Sequence, residues 1–221
     1  MTDHPPLTTQ ELLGKVSRNR VVAIVRGRDA PASVATCIAL ADAGVSLIEV
    51  SLTTHRAFDV LEQVATRLPE TVLLGAGTVI EPSDVRRVSD AGARYVVTPA
   101  LAPSLEAAAA AGLPVLAGAL TPTEVVEARR RGAAAVKIFP ASLFGPSYFT
   151  ALREPLPDVP LLAVGGVDAA LAAEYLEAGA IGVGVGSPLC GDAPHGGDLD
   201  ALRVRAEAFV ALGAVDGTRE R

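Results

Sequence analysis

Residues 92–132 read GARYVVTPALAPSLEAAAAAGLPVLAGALTPTEVVEARRRG, with a glycine at 92, 112 and 132. Each 20-residue interval holds a short β-rich run, YVV or PVLA, followed by a stretch with helical periodicity that stops at a glycine. Glycine at that point suits the left-handed residue that ends a helix. One interval is therefore one strand and one helix, and the repeat is a repeat of structure.

The same unit extends in both directions. The apolar runs are VVAIVR, SLIEV, VLLGA, YVV, PVLA, AAVKIF, LLAVGG and IGVGVG, and the helical stretches between them close at Gly44, Gly92, Gly112, Gly132 and Gly179. Strands apolar on both faces that alternate with helices form a parallel sheet covered by helices, because parallel strands need long crossovers. Eight units in 221 residues predict a closed (β/α)8 barrel of the TIM type, with the whole chain, 1–221, as one domain. An open doubly wound sheet is the alternative. It usually has fewer strands and a glycine fingerprint after the first, where this chain has VRGRDA. An extra helix is expected from about Thr8 to Asn19, with Thr8 or Thr9 as its cap and Glu11 in its first turn, and fraying is expected from about Gly213.

Half the residues are apolar, a fifth are charged, 40 are alanine, none is tryptophan, and the net charge is -6. A chain of this size buries roughly 70 to 75% of its unfolded surface, which excludes disorder for its bulk. The acidic balance, with no lysine-rich run, disfavours nucleic acid and anionic membrane surfaces. The longest mostly apolar uncharged stretch, Ala107 to Leu120, has 14 residues and contains Gly112 and Pro114, too short and too broken to span a bilayer. The start, MTDHPPLTTQ, lacks the basic and apolar regions of a secretory signal, so a cytoplasmic protein is expected. Cys37 and Cys190 have no CxxC or paired-histidine spacing and read as reduced thiols.

Across the eight apolar runs only Arg26, Glu49 and Lys137 are charged, each at or near the carboxyl end of its strand. In a parallel barrel that end carries the active site. An unpaired buried ion costs several kcal/mol, so such charges must be paired, ligand-bound or shifted in pKa. The chain has seventeen arginines but only two lysines, and one of these is embedded in AAAVKIFP. An ammonium walled by Val136, Ile138 and Phe139 is desolvated, which favours the neutral amine, a nucleophile toward carbonyls. Schiff-base chemistry at Lys137 follows, with a structural ion-paired or snorkelling lysine as the bland alternative. Glu49 is the only strand carboxylate and so the available proton carrier, unless it is only a partner for Arg26 or Lys137. Arg26 offers a planar fork for a carboxylate or phosphate, or pairs with Glu49 or Asp29.

Two glycine-rich turns complete the rim, Gly165–Gly166 after the seventh strand and Gly186–Ser187 after the eighth. Their amides can converge on a phosphate dianion, which this fold often binds between these loops without a basic side chain; a plain tight turn is the alternative for each. Thr78 adds a hydroxyl at the mouth of the third strand, or else caps the next helix. His4, His55 and His195 are not spaced for a metal, so a metal-dependent aldolase is disfavoured and no cofactor is expected.

The ordered set AIVRG, LIEVSLT, LLGAGTV, VVTPAL, LTPTEV, AAVKIFPASLFGP, LLAVGGV and GVGS, over roughly Val21 to Leu212, resembles the class I 2-keto-3-deoxy-6-phosphogluconate aldolases and their phosphogalactonate relatives. The resemblance implies a lyase that splits a 2-keto-3-deoxy-6-phospho sugar acid into pyruvate and glyceraldehyde 3-phosphate. It implies an imine at Lys137, proton transfer by Glu49, carboxylate binding by Arg26 and Thr78, and phosphate binding by Gly165, Gly166, Gly186 and Ser187. Pro99 and Phe139 would wall the pocket, which Thr53 and Val164 also line. Some members carry an arginine where this chain has Thr53, which leaves the carboxylate to Arg26. Many phosphogluconate enzymes carry a threonine at Val164, so weak epimer discrimination, or a tilt toward galactonate, is expected. A homotrimer is implied by the resemblance alone. A phosphate-binding isomerase or synthase using Glu49 as base, and a non-catalytic phosphometabolite-binding barrel, are the other readings.

Overall fold

The computed structural model describes residues 6–214. Eight strands, β1 (Val21–Val25), β2 (Leu47–Ser51), β3 (Leu73–Gly77), β4 (Tyr95–Val97), β5 (Val115–Ala119), β6 (Ala135–Ile138), β7 (Leu161–Val164) and β8 (Gly182–Val185), pair in parallel in chain order, and β8 returns to β1. The barrel is closed, as the repeat predicts, and no open sheet edge remains. Helices α1 (Thr9–Asn19), α2 (Ala30–Asp42), α3 (Ala57–Ala65), α4 (Pro82–Asp90), α5 (Ser104–Ala110), α6 (Pro122–Arg130), α7 (Pro146–Arg153), α8 (Ala169–Glu177), α9 (Ser187–Cys190) and α10 (Leu199–Ala214), with short 3-10 turns at Ala141–Leu143 and Ala193–His195, connect and flank the strands. None of these helices is long and apolar enough to cross a membrane.

Local chemistry sets the element ends. Thr8 caps α1 reciprocally: its hydroxyl accepts the Glu11 N–H at 3.2 Å, and the Glu11 carboxylate accepts the Thr8 N–H at 2.8 Å. The five glycines that close the helical stretches all have φ between 72° and 97°. The residue after each donates its N–H to the carbonyl five residues earlier, as in Val45 to Leu40, Ala93 to Val88 and Ala133 to Ala128 at 2.9 to 3.0 Å. One hydrogen-bonded stop, used repeatedly, turns the chain from helix back to strand. Helix α10 continues through Gly213, where fraying was expected; the remainder of that expectation, residues 215–221, lies outside the described residues, as does His4.

Alternation along the strands divides the core into two shells. Val22, Ile24, Leu47, Leu73, Tyr95, Leu116, Leu162 and Val164 fill the inside of the barrel, while Ala23, Ile48, Val50, Leu74, Val136 and Ile138 pack outward with the helices. Glu49 and Lys137 share the phase of the inner set and are 2% and 6% exposed. They sit inside the barrel, toward the end where the strands finish.

Candidate active site

The residues singled out from the sequence converge. Arg26, Glu49, Thr53, Thr78, Pro99, Lys137, Phe139, Val164, Gly165, Gly166, Gly186 and Ser187 all line one cleft of about 460 Å³ at the carboxyl end of the barrel. They come from the ends of seven strands, and parallel closure puts those ends on one rim.

Glu49 leaves β2 opposite Gly75 and folds its carboxylate over Gly77. A Cβ on Gly77 would overlap that carboxylate, so the second glycine of GAGTV is there to admit Glu49. Burial holds the Glu49 carboxyl above the usual carboxylate range, and the Lys137 and Arg26 cations offset part of that rise. No salt bridge closes between Glu49 and either cation, nor between Arg26 and Asp29, among the described residues. Asp29 instead caps α2, accepting the Ala32 N–H at 2.8 Å. Glu49 and the cations are thus near neighbours whose polar atoms stay available to a ligand.

The surroundings of Lys137 differ from the sequence expectation. Val136 and Ile138 pack outward with the helices, because adjacent residues on a strand face opposite ways. The wall around the lysine is built from other strands. Leu116, Leu162, Val164 and Val97 lie beneath it with Glu49, and the Phe139 ring centroid stands 5.1 Å from its Nζ. The burial of Lys137 therefore comes from residues distant in sequence, and Phe139 alone of the three expected neighbours takes part. Below Glu49 the Tyr95 ring packs on Gly75, and its buried hydroxyl has no hydrogen-bond partner among the described residues. Burial and the Glu49 charge push the Tyr95 pKa up, so it remains a neutral phenol.

After β7, Gly165 and Gly166 have φ of 97° and 73°, which turn the chain sharply beside the Phe139 ring. Ser142 donates its N–H to the Gly165 carbonyl at 3.1 Å and ties this turn to the segment after β6. The N–H groups of Gly165, Gly166, Gly186 and Ser187 donate to no protein acceptor among the described residues. Four free amides lining a cleft are donors in search of an acceptor, and a dianion fits them.

Thr78 has φ of 60°, and its hydroxyl lies 2.9 Å from Ser51 Oγ. The residue before α4 is Glu81, which makes no side-chain cap, so Thr78 does not cap that helix; it lines the cleft. Arg28 and His195 also line the cleft and were not singled out from the sequence. The Arg28 N–H donates to His195 Nδ1 at 3.1 Å across 167 residues, which leaves the proton of the neutral ring on Nε2. The only sequence signal for this pair was the second arginine of VRGRDA. Cys190 lines the cleft as well, but burial pushes its thiol to about 12, and burial also pushes Cys37 up. Both cysteines are free and buried. No group of three or more His, Cys, Asp or Glu side chains among the described residues is arranged to hold a metal ion.

A family model described as "Aldolase: KDPG and KHG aldolase" matches residues 13–203. A probable 2-dehydro-3-deoxy-6-phosphogalactonate aldolase from Rhizobium meliloti (strain 1021) is 36% identical over 198 residues, covering 89% of this chain and 91% of that protein. A 2-dehydro-3-deoxy-6-phosphogalactonate aldolase from Escherichia coli (strain K12) is also 36% identical, over 192 residues, covering 86% and 92% of the two chains. The solved structure "Native KDPGal structure" superposes with a TM-score of 0.81 at 32% identity, covering 89% of this chain and 96% of its own. With the barrel, the cleft and these similarities together, the chain belongs to the KDPG and KHG aldolase family.

Proposed function

We propose that this protein is a class I aldolase that reversibly cleaves a 2-keto-3-deoxy-6-phospho sugar acid to pyruvate and glyceraldehyde 3-phosphate. The observation that carries the reading is a buried lysine and a buried carboxyl with raised pKa on the floor of one cleft, and four free amides among the residues that line it. Lys137 Nζ, once it has given its ammonium proton to the Glu49 carboxylate, attacks the C2 carbonyl of the keto acid. The carbinolamine loses water, its departing oxygen protonated by Glu49, and an iminium forms. Glu49, now a carboxylate, takes the proton of the C4 hydroxyl, the C3–C4 bond breaks, and its electron pair moves into the iminium to give an enamine. The aldehyde departs. Protonation of C3 by Glu49 and hydrolysis of the imine then release pyruvate and free Lys137. The iminium is the electron sink, so the steps draw on this chain's own groups. The reaction is checked by following pyruvate release from the phosphogalactonate and phosphogluconate substrates; a protein that releases none is not this aldolase.

Arg26 and Thr78 receive the carboxylate, while Gly165, Gly166, Gly186 and Ser187 receive the phosphate. Backbone amides hold the dianion, so the unphosphorylated keto-deoxy acid is expected to have a kcat/KM lower by roughly 10²-fold or more, the worth of two or more charge-assisted hydrogen bonds. Ser187→Ala should raise KM for the phosphorylated substrate and leave the unphosphorylated one unchanged. Equal efficiency on both acids would remove phosphate recognition from the assignment. Gly166 is the wrong place for that test, since its φ of 73° and its approach to Ser142 make any side chain there a backbone perturbation.

Val164 is 5% exposed, ends β7 and packs into Gly184, so it presents only a methyl surface to the cleft. Valine cannot hydrogen-bond the C4 hydroxyl, and the epimer choice falls to shape. Wild type should discriminate weakly or favour galactonate, and Val164→Thr should move the ratio of the two kcat/KM values toward gluconate by about 1 kcal/mol. A ratio untouched by the substitution shows that this position does not read C4.

The same reading makes the chain, 1–221, a single-barrel subunit of a cytoplasmic homotrimer that acts on small molecules. Leu143 and Phe144, 59% and 52% exposed, offer adjacent apolar surface for a subunit contact. Light scattering gives the mass, and a monomer at working concentration would remove the trimer.

A further inference from the structure

Three hydroxyls form a chain beside the cleft. Ser51, fully buried at the end of β2, has its Oγ 2.8 Å from Thr53 Oγ1 and 2.9 Å from Thr78 Oγ1, and it accepts the Thr53 N–H at 3.3 Å. A hydroxyl group donates one hydrogen and its oxygen accepts two. The Thr53 N–H takes one lone pair, leaving Ser51 one acceptor position and one hydrogen. One threonine hydroxyl must therefore donate to Ser51 and the other must accept from it. Two arrangements exist. In the first, hydrogens run from Thr53 to Ser51 to Thr78, and Thr78 keeps its own hydrogen for the cleft. In the second the order reverses, and the Thr78 hydrogen is engaged by Ser51.

The Thr78 hydroxyl has no other partner among the described residues, and its backbone sits in the left-handed region that β-branched residues avoid. Strain of that kind persists only where the surroundings hold it in place. Thr53 and Thr78 line the cleft, while Ser51 stands behind them.

We infer that Ser51 is a positioning residue for the carboxylate of the keto acid. The anion selects the first arrangement, in which Thr53 backs Ser51, Ser51 backs Thr78, and Thr78 donates to the carboxylate. Each donation polarises the next hydroxyl, so the last is a stronger donor than an isolated threonine. The inference rests on the assignment of Thr78 to the carboxylate made under the proposed function.

The test is borohydride trapping over a range of pyruvate concentrations, read as the concentration that half-saturates inactivation. Ser51→Ala is expected to raise that concentration about tenfold, with the limiting rate at saturation kept within about twofold, since a backed contact to an anion is lost and the chemistry is untouched. Pyruvamide, which keeps the carbonyl without the negative charge, should shift by less than about threefold in the same variant. Thr53→Val, at an exposed position, removes only the first donor and should give a rise of about threefold with pyruvate. Ser51→Thr restores the hydroxyl and should restore affinity. Pyruvate values within about twofold of wild type in both Ser51→Ala and Thr53→Val overturn the inference, as does an equal loss toward pyruvate and pyruvamide. A normal wild-type adduct with unmoved variants overturns this inference alone, whereas no adduct in wild type overturns the Schiff-base reading and this inference with it.

Discussion

Borohydride added together with pyruvate is expected to inactivate the protein and to leave a reduced pyruvate-derived mass on Lys137 alone. Hydride reduces the C=N bond of the iminium to a secondary amine, which fixes the adduct for peptide mapping. Lys15 provides the internal control: it lies on α1, donates to the Thr71 carbonyl and is not among the residues lining the cleft. Lys137→Arg should give no adduct and lose at least about 10³-fold in kcat, because a guanidinium stays protonated and cannot attack a carbonyl. The fold should survive, since the arginine enters a cleft of about 460 Å³ that is open to solvent on one side. An active arginine variant, or mass found on Lys15, would sink the mechanism. The isomerase and the non-catalytic readings both predict no adduct in wild type, so the same measurement separates them from the aldolase.

Glu49→Gln is expected to lower kcat by on the order of 10²-fold or more, the usual contribution of a positioned acid and base, with phosphate affinity retained. Its effect on stability should run the other way. Burial raises the Glu49 pKa, so between the unfolded and folded values the native state binds more protons than the unfolded chain. Stability contributed by this group is therefore greatest at low pH and declines as pH rises through the ordinary carboxylate range toward the folded pKa. Glutamine carries no ionisation cost. Thermal midpoints of the two proteins should lie close together near about pH 4, with the variant gaining on wild type toward about pH 8. A variant that turns over normally would assign proton transfer elsewhere, and one that is less stable at high pH would make Glu49 a structural partner.

Much of the fold was open to reading because its determinants are local. The stop at Gly92, Gly112 and Gly132 depends on residues no more than five positions apart, and the capping of α1 by Thr8 and Glu11 spans four positions. Apolar runs mark parallel strands wherever they fall, since both faces are covered. The cleft was legible for a related reason. A charge within a buried strand has few outlets, and Glu49 and Lys137 stand out against otherwise apolar runs. The Gly165–Gly166 pair after β7 and Gly186 after β8 point to close backbone approach.

What failed was the attribution of neighbours. Sequence adjacency points to Val136 and Ile138 as the walls of Lys137, whereas the inside of the barrel is made by residues of the same phase on other strands, such as Leu116 and Leu162. Side chains one position apart on a strand lie on opposite faces, so sequence adjacency there predicts separation.

The eightfold repeat, the parallel order and the residue types gathered at the carboxyl rim follow from the chain's own sequence. Periodicity, helix stops and the cost of burying charge act over short stretches and need no knowledge of the rest of the chain. Tertiary structure alone decided which groups meet. Closure of β8 on β1 brings His195 to the Arg28 amide, the pairing of β2 with β3 sets Ser51 against Thr78 and Glu49 over Gly77, and Tyr95 reaches Gly75 from β4. Hydrogen bonds and desolvation act over a few ångströms, and only closure of the barrel brings residues this far apart in the chain within that range.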